Sequence, residues 1–340
     1  MVGVRRDRLV AEALLVGITA IWGWTFVLVK DAVALYPTLS FLTLRFALAT
    51  LVVAPVVLLG RRRDRRRHAA KRPPRSAAGL ARSGVLGGGL LMGALLGAGY
   101  VFQTFGLEHT SASNAGFITG LFVVLVPLFE FVLWKRGAGM GTLLAMALAA
   151  IGLFLLSGGA SGIHLLGDGL VLLCAACFAA HILATAVYAG RYDAMMLTAI
   201  QLGVVCLVCG ALAVGADLTG LTSEPLALPS QSQVWIALVI TAVLASAVAF
   251  FVQTYAQRHA PPARAAVIMT MEPVFAGVFG YALAGERLGL TGWIGAALIL
   301  AGMLAAEVWP QPHDHVELGP EGQAWVDVPP GGQTPNSPRS

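Results

Sequence analysis

The chain has 340 residues, of which 57% are hydrophobic and only 11% charged, with a mean hydropathy of +0.79. Soluble domains carry roughly a quarter of their residues as charges, so a water-soluble globular fold is excluded and an all-α, polytopic membrane protein is expected. The formal net charge of +5 arises in one segment, 61–82, which sets ten basic residues against Asp64; the rest of the chain would stand at −4. A hydrocarbon core of about 30 Å needs about 20 apolar residues per helix. Turn residues and charges divide the sequence into ten such stretches: 9–29, 38–59, 84–107, 113–134, 140–156, 168–188, 194–215, 233–256, 265–284 and 290–309.

The first span carries Trp22 and Trp24 near its middle, with Phe26 beyond. Tryptophan at a helix end anchors to the interface, as expected for Trp134, Trp235 and Trp309. Trp22 lies too deep for that and either faces a cavity or packs between helices. The basic flank resembles a signal peptide's, but the 21-residue length and the lack of a small-residue cleavage site predict a retained helix. Arg45 lies about two turns into the second span. Its fork fits a substrate carboxylate, or pairs with an acid or the carbonyls of a neighbouring helix. The 61–82 loop opens Arg-Arg-Arg-Asp-Arg-Arg-Arg. Such a run can bind nucleic acid, but between two membrane spans it is expected to stay cytoplasmic against anionic headgroups.

The third span closes on Gln103-Thr104-Phe105-Gly106-Leu107-Glu108-His109, and 150 residues later the eighth closes on Gln253-Thr254-Tyr255-Ala256-Gln257-Arg258-His259. Each copy precedes a helix with a proline near its middle, Pro127 in span four and Pro273 in span nine. Neither proline can bond the carbonyl four residues back, that of Val123 or Met269. Freed backbone at that depth usually faces protein or a wet cavity, and paired interruptions in corresponding helices point to a transporter's central site; a plain packing kink is the other reading. Tyr36-Pro37-Thr38 leading to Arg45 parallels Tyr192-Asp193-Ala194 leading to Gln201, which supports the same division into two halves. The glycine- and serine-rich 157–162 is the expected hinge between them.

Charges inside spans cost roughly 2.5 to 3.5 kcal/mol each on insertion scales, so they are candidates for function. They are Arg45, Glu130 near the inner end of span four, His181 in span six and Glu272 in span nine, supplemented by Gln103, Gln201 and Gln253. Glu272 adjoins Pro273, which sets a titratable oxygen beside a freed carbonyl and suits proton handling; a structural carboxylate is the equal alternative. His181 is either a titrating cavity group or a satisfied packing residue. Cys174-x-x-Cys177 and Cys206-x-x-Cys209 have zinc-like spacing, but apolar helices give thiolates no compensation, and small soft packing residues are expected. No metal and no cofactor is expected, and no nucleophile, zinc-protease or phosphate-loop signature is found. The tail, 310–340, is rich in Pro, Gly, Gln and Ser and is expected to be disordered.

Nineteen of the 22 Lys and Arg fall on one side if the N-terminus is cytoplasmic, against Lys30 and Arg287 outside, with Arg45 inside a span. Both termini are therefore expected in the cytoplasm. Five spans per half is odd, so the second half enters from the opposite face and the repeat is inverted.

Trp22-Gly23, Leu44-Arg45-Phe46, and Thr110-Ser111-Ala112-Ser113-Asn114-Ala115 leading to Pro127 resemble the drug/metabolite transporter superfamily, in its ten-helix EamA-type form. Met271-Glu272-Pro273-Val274, Gly285-Glu286-Arg287-Leu288 and 295–302 match in the second half. Lys135-Arg136 departs from the pattern where Glu286-Arg287 stands. The resemblance covers 9–307 and implies two five-helix repeats, 9–156 and 168–309, around a central cavity. It implies export of small organic metabolites, often amino acids or drug-like compounds, by alternating access, and adds Asn114 to the candidates. The expected partners are a small-molecule substrate and the lipid bilayer of a bacterial cytoplasmic membrane, without nucleic acid, and the chain could pair as a homodimer. A membrane-embedded enzyme acting on lipid-linked substrates would need a polar cluster at one face, where the loops are short. A non-transporting membrane subunit would leave Arg45, His181 and Glu272 dispensable.

Overall fold

The computed structural model describes residues 2–67, 75–107, 109, 118–135, 139–156, 164–220, 227–283 and 289–308. Asn114, the 157–162 hinge, 285–288 and the 310–340 tail lie outside these residues. The described chain is helical, without strands. In chain order the helices are α1 Val2–Val33, α2 Thr38–Arg67, α3 Arg75–Leu107, α4 Phe122–Trp134, α5 Met140–Leu156, α6 Leu165–Ala189 and α7 Ala194–Leu218. There follow α8 Ser232–Ala256, α9 Pro262–Met269, α10 Met271–Leu283 and α11 Leu290–Val308. Five are long and apolar enough to cross a membrane, and four shorter apolar helices accompany them. Many large apolar side chains are left exposed, most of them aliphatic, among them Leu51, Leu133, Leu165, Leu207 and Leu304, as lipid contact requires. Together these features make the chain a multi-pass membrane protein.

Three elements depart from the sequence expectation. The basic segment is not all loop: α2 runs on to Arg67 and α3 begins at Arg75. The ninth span is not continuous but breaks at Thr270, between α9 and α10. Pro273 explains the position, because its ring crowds the carbonyl of Met269 and supplies no donor to it. Thr270 covers the break by sharing its N–H between Ala266 O and Val267 O, each at 3.2 Å, and by sending Oγ1 to Val267 O at 2.6 Å. Pro127 sits inside an unbroken α4; the irregular turn there is at Leu121, before the helix starts. The third departure is in α8, whose middle, Thr241–Val248, is π-helical.

Contacts between the two halves follow a rule. Exchanging α1 with α6, α2 with α7, α3 with α8, α4 with α9–α10 and α5 with α11 maps the main contacts onto one another. The α3–α6 pair becomes α1–α8, α3–α7 becomes α2–α8, and α1–α10 becomes α4–α6, while α2–α7 and α5–α11 map onto themselves. Small residues permit the closest of these approaches. A Cβ on Gly23 of α1 would meet Phe275 Cβ at 2.6 Å and Glu272 O at 2.9 Å, and one on Gly152 of α5 would meet Gly295 O at 2.6 Å. Gly93 of α3 likewise backs onto α7, with Gln201 O 2.8 Å from its would-be Cβ, whereas Gly97 has ordinary room. Several buried hydroxyls bond their own helices, as Thr185 does to His181 O at 2.7 Å and Thr254 to Phe250 O at 2.7 Å, which satisfies them inside an apolar bundle.

Candidate functional site

A cavity of about 400 Å³ lies between the halves, walled by α1, α2, α3, α6, α8, the start of α4 and the α9–α10 junction. It extends from the middle of the bundle toward the turn joining α1 to α2, where Val29, Val33 and Thr38 line it. The opposite end is filled by Ala11, Leu15 and Ile18 of α1 packed on Ala256, Ala260, Ala265 and Ile268. In the same layer Arg264 Nη1 donates to Glu12 Oε1 at 3.0 Å, a buried ion pair tying α1 to α9.

Six of the nine residues singled out from the sequence line the cavity: Trp22, Arg45, Gln103, His181, Gln253 and Glu272. Pro127 is buried in α4, and Pro273 lies in α10 behind Glu272; neither is on the wall. Their effect is indirect, since the break that Pro273 induces brings Met269 and Glu272 together on the cavity surface. Glu130 is not on the wall either. The four cysteines are free thiols, and no metal-ligating cluster exists among the described residues.

The cavity's fixed positive charge is Arg45. Its Nε donates to Ser246 Oγ at 2.8 Å, and its guanidinium carbon sits 5.3 Å from the Phe46 ring centre and 5.8 Å from that of Tyr100. One N–H is thus committed to α8 and the group is held against two ring faces, a cation–π arrangement that fixes it without neutralising it. Glu272 is within electrostatic reach of Arg45 across the cavity. No ion pair within 4.0 Å joins them among the described residues. The two charges therefore share one space without closing on each other.

The π-helical turn of α8 contributes two of these contacts. Ser246 takes the Arg45 hydrogen bond, and the neighbouring Ala245 carbonyl accepts from Trp22 Nε1 at 2.8 Å. A π-turn shifts the hydrogen-bond ladder by one residue and commonly occurs where function demands it. Here the shifted segment offers a backbone carbonyl to an indole on another helix. Phe250, one turn on, packs on Trp22 at 5.7 Å and on His181 at 6.3 Å between ring centres.

His181 belongs to a wired cluster. Its Nε2 is 2.8 Å from Gln201 Oε1, and Gln201 Nε2 donates to Thr254 Oγ1 at 3.3 Å, linking α6, α7 and α8. Since Thr254 gives its own proton to Phe250 O, it accepts from Gln201, which turns Gln201 Oε1 to the histidine and makes Nε2–H the donor. Gln103 Nε2 donates to Thr119 Oγ1 at 3.2 Å on the opposite wall.

Sequence reasoning missed the aromatic wall formed by Phe41, Tyr100, Phe122, Phe178 and Phe250. A signal was present: the internal echo extends upstream, Tyr100-Val101-Phe102-Gln103-Thr104 against Phe250-Phe251-Val252-Gln253-Thr254. In each copy the aromatic stands three residues before the glutamine and so shares its helix face. Both pairs line the cavity. Glu12 was also missed as a buried charge, and Arg264 was counted as a loop residue because the expected ninth span began one residue later.

The EamA-like transporter family matches the chain twice, at residues 9–158 and 165–306. An uncharacterized transporter of Archaeoglobus fulgidus is 31% identical over 297 residues, which span 87% of this chain and 85% of that protein. A second uncharacterized transporter of the same organism is 39% identical over 72 residues, 21% of this chain and 27% of the relative. A protein of known crystal structure shares the fold, with a TM-score of 0.67 at 20% identity over 88% of this chain and 97% of its own. A hydrophobic multi-pass chain, matched twice by one family description and related along most of its length to a named transporter, belongs to the EamA-like transporter family of the drug/metabolite transporter superfamily.

Proposed function

We propose that this transporter exports small organic metabolites by alternating access around the cavity, exchanging them for protons at Glu272. The observation that carries the reading is the cavity itself: an aromatic-walled space between the two halves holding one fixed cation, Arg45, and one carboxylate, Glu272. A secondary transporter needs a central site at the interface of two repeats that can rock against each other. The exchange symmetry of the helix contacts supports two inverted five-helix halves, 9–156 and 168–309. With ten spans, the charge asymmetry of the loops supports both termini in the cytoplasm. In that orientation the α1–α2 turn is outside and the Glu12–Arg264 layer inside. Transport without a chemical step is the function proposed, in keeping with the transporter names of the relatives.

Proteoliposomes containing the full chain, loaded with a pooled amino-acid and metabolite panel, test the proposal. Flux of at least one compound should rise with an imposed pH gradient, and Glu272→Gln should lose that gradient dependence while still folding. Flux indifferent to both gradient and substitution would leave a facilitator and remove Glu272 from coupling.

A further inference from the structure

The π-turn of α8 has no local cause. Thr241–Val248 reads Thr-Ala-Val-Leu-Ala-Ser-Ala-Val, without glycine or proline. Residues of these types settle into α spacing unless something else holds them out of it. The internal echo makes the same point: Ser246 corresponds to Leu96 in α3, and α3 is α-helical over Arg75–Leu107. The distortion therefore belongs to α8 and not to its counterpart in the other half.

What holds it comes from the first half. Ala249 N–H bonds Leu244 O, five residues back, and α spacing resumes from Ala249. Passing from five-residue to four-residue spacing leaves one carbonyl over, which needs a donor from elsewhere. The next carbonyl in line is that of Ala245, and it accepts from Trp22 Nε1 at 2.8 Å. Ser246, wholly buried, accepts at Oγ from Arg45 Nε at 2.8 Å. A return to α spacing would draw the Ala245 carbonyl back into the ladder and swing Ser246 by about 100° around the helix, so the two bonds are made or lost together. Resting on the transporter reading, we propose that Ser246 is a positioning residue for Arg45 and that the π-turn is a latch. In π register it clasps α1 and α2 to the second half; on returning to α register it frees Trp22 and Arg45 at once. Halves that rock must break the bonds crossing between them, and a shared turn breaks both in one step.

The rate at which phenylglyoxal modifies Arg45 in the full chain in lipid nanodiscs, read on its own peptide by mass spectrometry, tests the latch without any substrate. Ser246→Ala should raise that rate about fivefold or more, and Ser246→Thr, which keeps the hydroxyl, should not. Trp22→Phe, which keeps a ring but loses the N–H, should raise it comparably, although Trp22 bonds a different atom of the turn. The double variant Ser246→Ala with Trp22→Phe should react no faster than either single one, because the first loss has already opened the latch. Deleting Ala247 removes the surplus residue and should match it. Arg264, buried in the inner layer, should keep its wild-type rate throughout. The proposal is overturned if Trp22→Phe or the deletion leaves Arg45 at the wild-type rate, if the two single effects multiply in the double variant, if Ser246→Thr loosens Arg45 as much as Ser246→Ala, or if Arg264 speeds up in step. Wild-type proteoliposomes that carry no compound of the panel, with these responses intact, would tell against transport and leave the latch standing.

Discussion

Arg45 illustrates how far one residue can be read in advance. A charge in an apolar span is improbable enough to announce itself, and its burial on the cavity wall follows. What the sequence could not provide is the means by which the charge is held. Its hydrogen-bond partner, Ser246, lies 201 residues away on a π-turn, and the rings of Phe46 and Tyr100 come from two different helices. Lysine would keep the charge but lose both the Nε–H bond and the planar face on the rings. Arg45→Lys should therefore reduce transport of carboxylate-bearing compounds by about tenfold or more while the thermal midpoint falls only slightly. Uptake kinetics resolved into KM and maximal rate would show the loss mainly in KM if Arg45 holds the substrate. An unchanged KM would make it a structural cation.

At the scale of helices, legibility followed composition. Apolar stretches and their order could be read, because hydrocarbon thickness and charge exclusion act on every residue of a span. Breaks were harder to read: Pro273 marks the neighbourhood of the Thr270 discontinuity three residues before it, but Pro127 leaves α4 unbroken, and nothing in Thr241–Val248 distinguishes a π-turn from an α-helix by residue type. The two irregularities meet at α1. Trp22 bonds the π-turn through Ala245 O, and Gly23, the next residue, lets α1 touch α10. That contact has no spare room, since a methyl at Gly23 would stand 2.7 Å from the backbone nitrogen of Ala276 as well as against Phe275 Cβ. Gly23→Ala must then push α1 away from the broken rod, displacing Trp22 and opening the Glu272 wall. The expected result is a destabilisation of about 1 to 3 kcal/mol, seen as a thermal midpoint lowered by several degrees, with a larger proportional loss of flux. Wild-type behaviour of Gly23→Ala in both assays would mean that α1 and α10 are not locked in the functioning protein.

For the molecule as a whole, the two ends of the cavity are unequal. Toward the α1–α2 turn the wall continues through Val29, Val33 and Thr38. At the other end α1, α8 and α9 close on one another around Ala11, Leu15, Ala256 and Ala260, with the Glu12–Arg264 pair buried in the same layer. Removing one partner of a buried ion pair leaves an uncompensated charge, at a cost of about 3 to 5 kcal/mol. Such a pair can hold one end shut and still release it when the halves rock. With the four native cysteines replaced by alanine, single cysteines at Thr38 and Ala260 would report the two ends separately. A membrane-impermeant maleimide added to intact cells should label Thr38→Cys, because the orientation proposed from the basic loops puts that end outside. Ala260→Cys should resist the same reagent from either face, in cells and in inverted vesicles. Adding Glu12→Gln should make Ala260→Cys reactive from the inside only, by loosening α1 from α9. Labelling of Ala260→Cys from outside would reverse the orientation inferred from the charge count. Labelling that is insensitive to Glu12→Gln would show that the packed alanines and leucine, not the ion pair, keep the inner end closed.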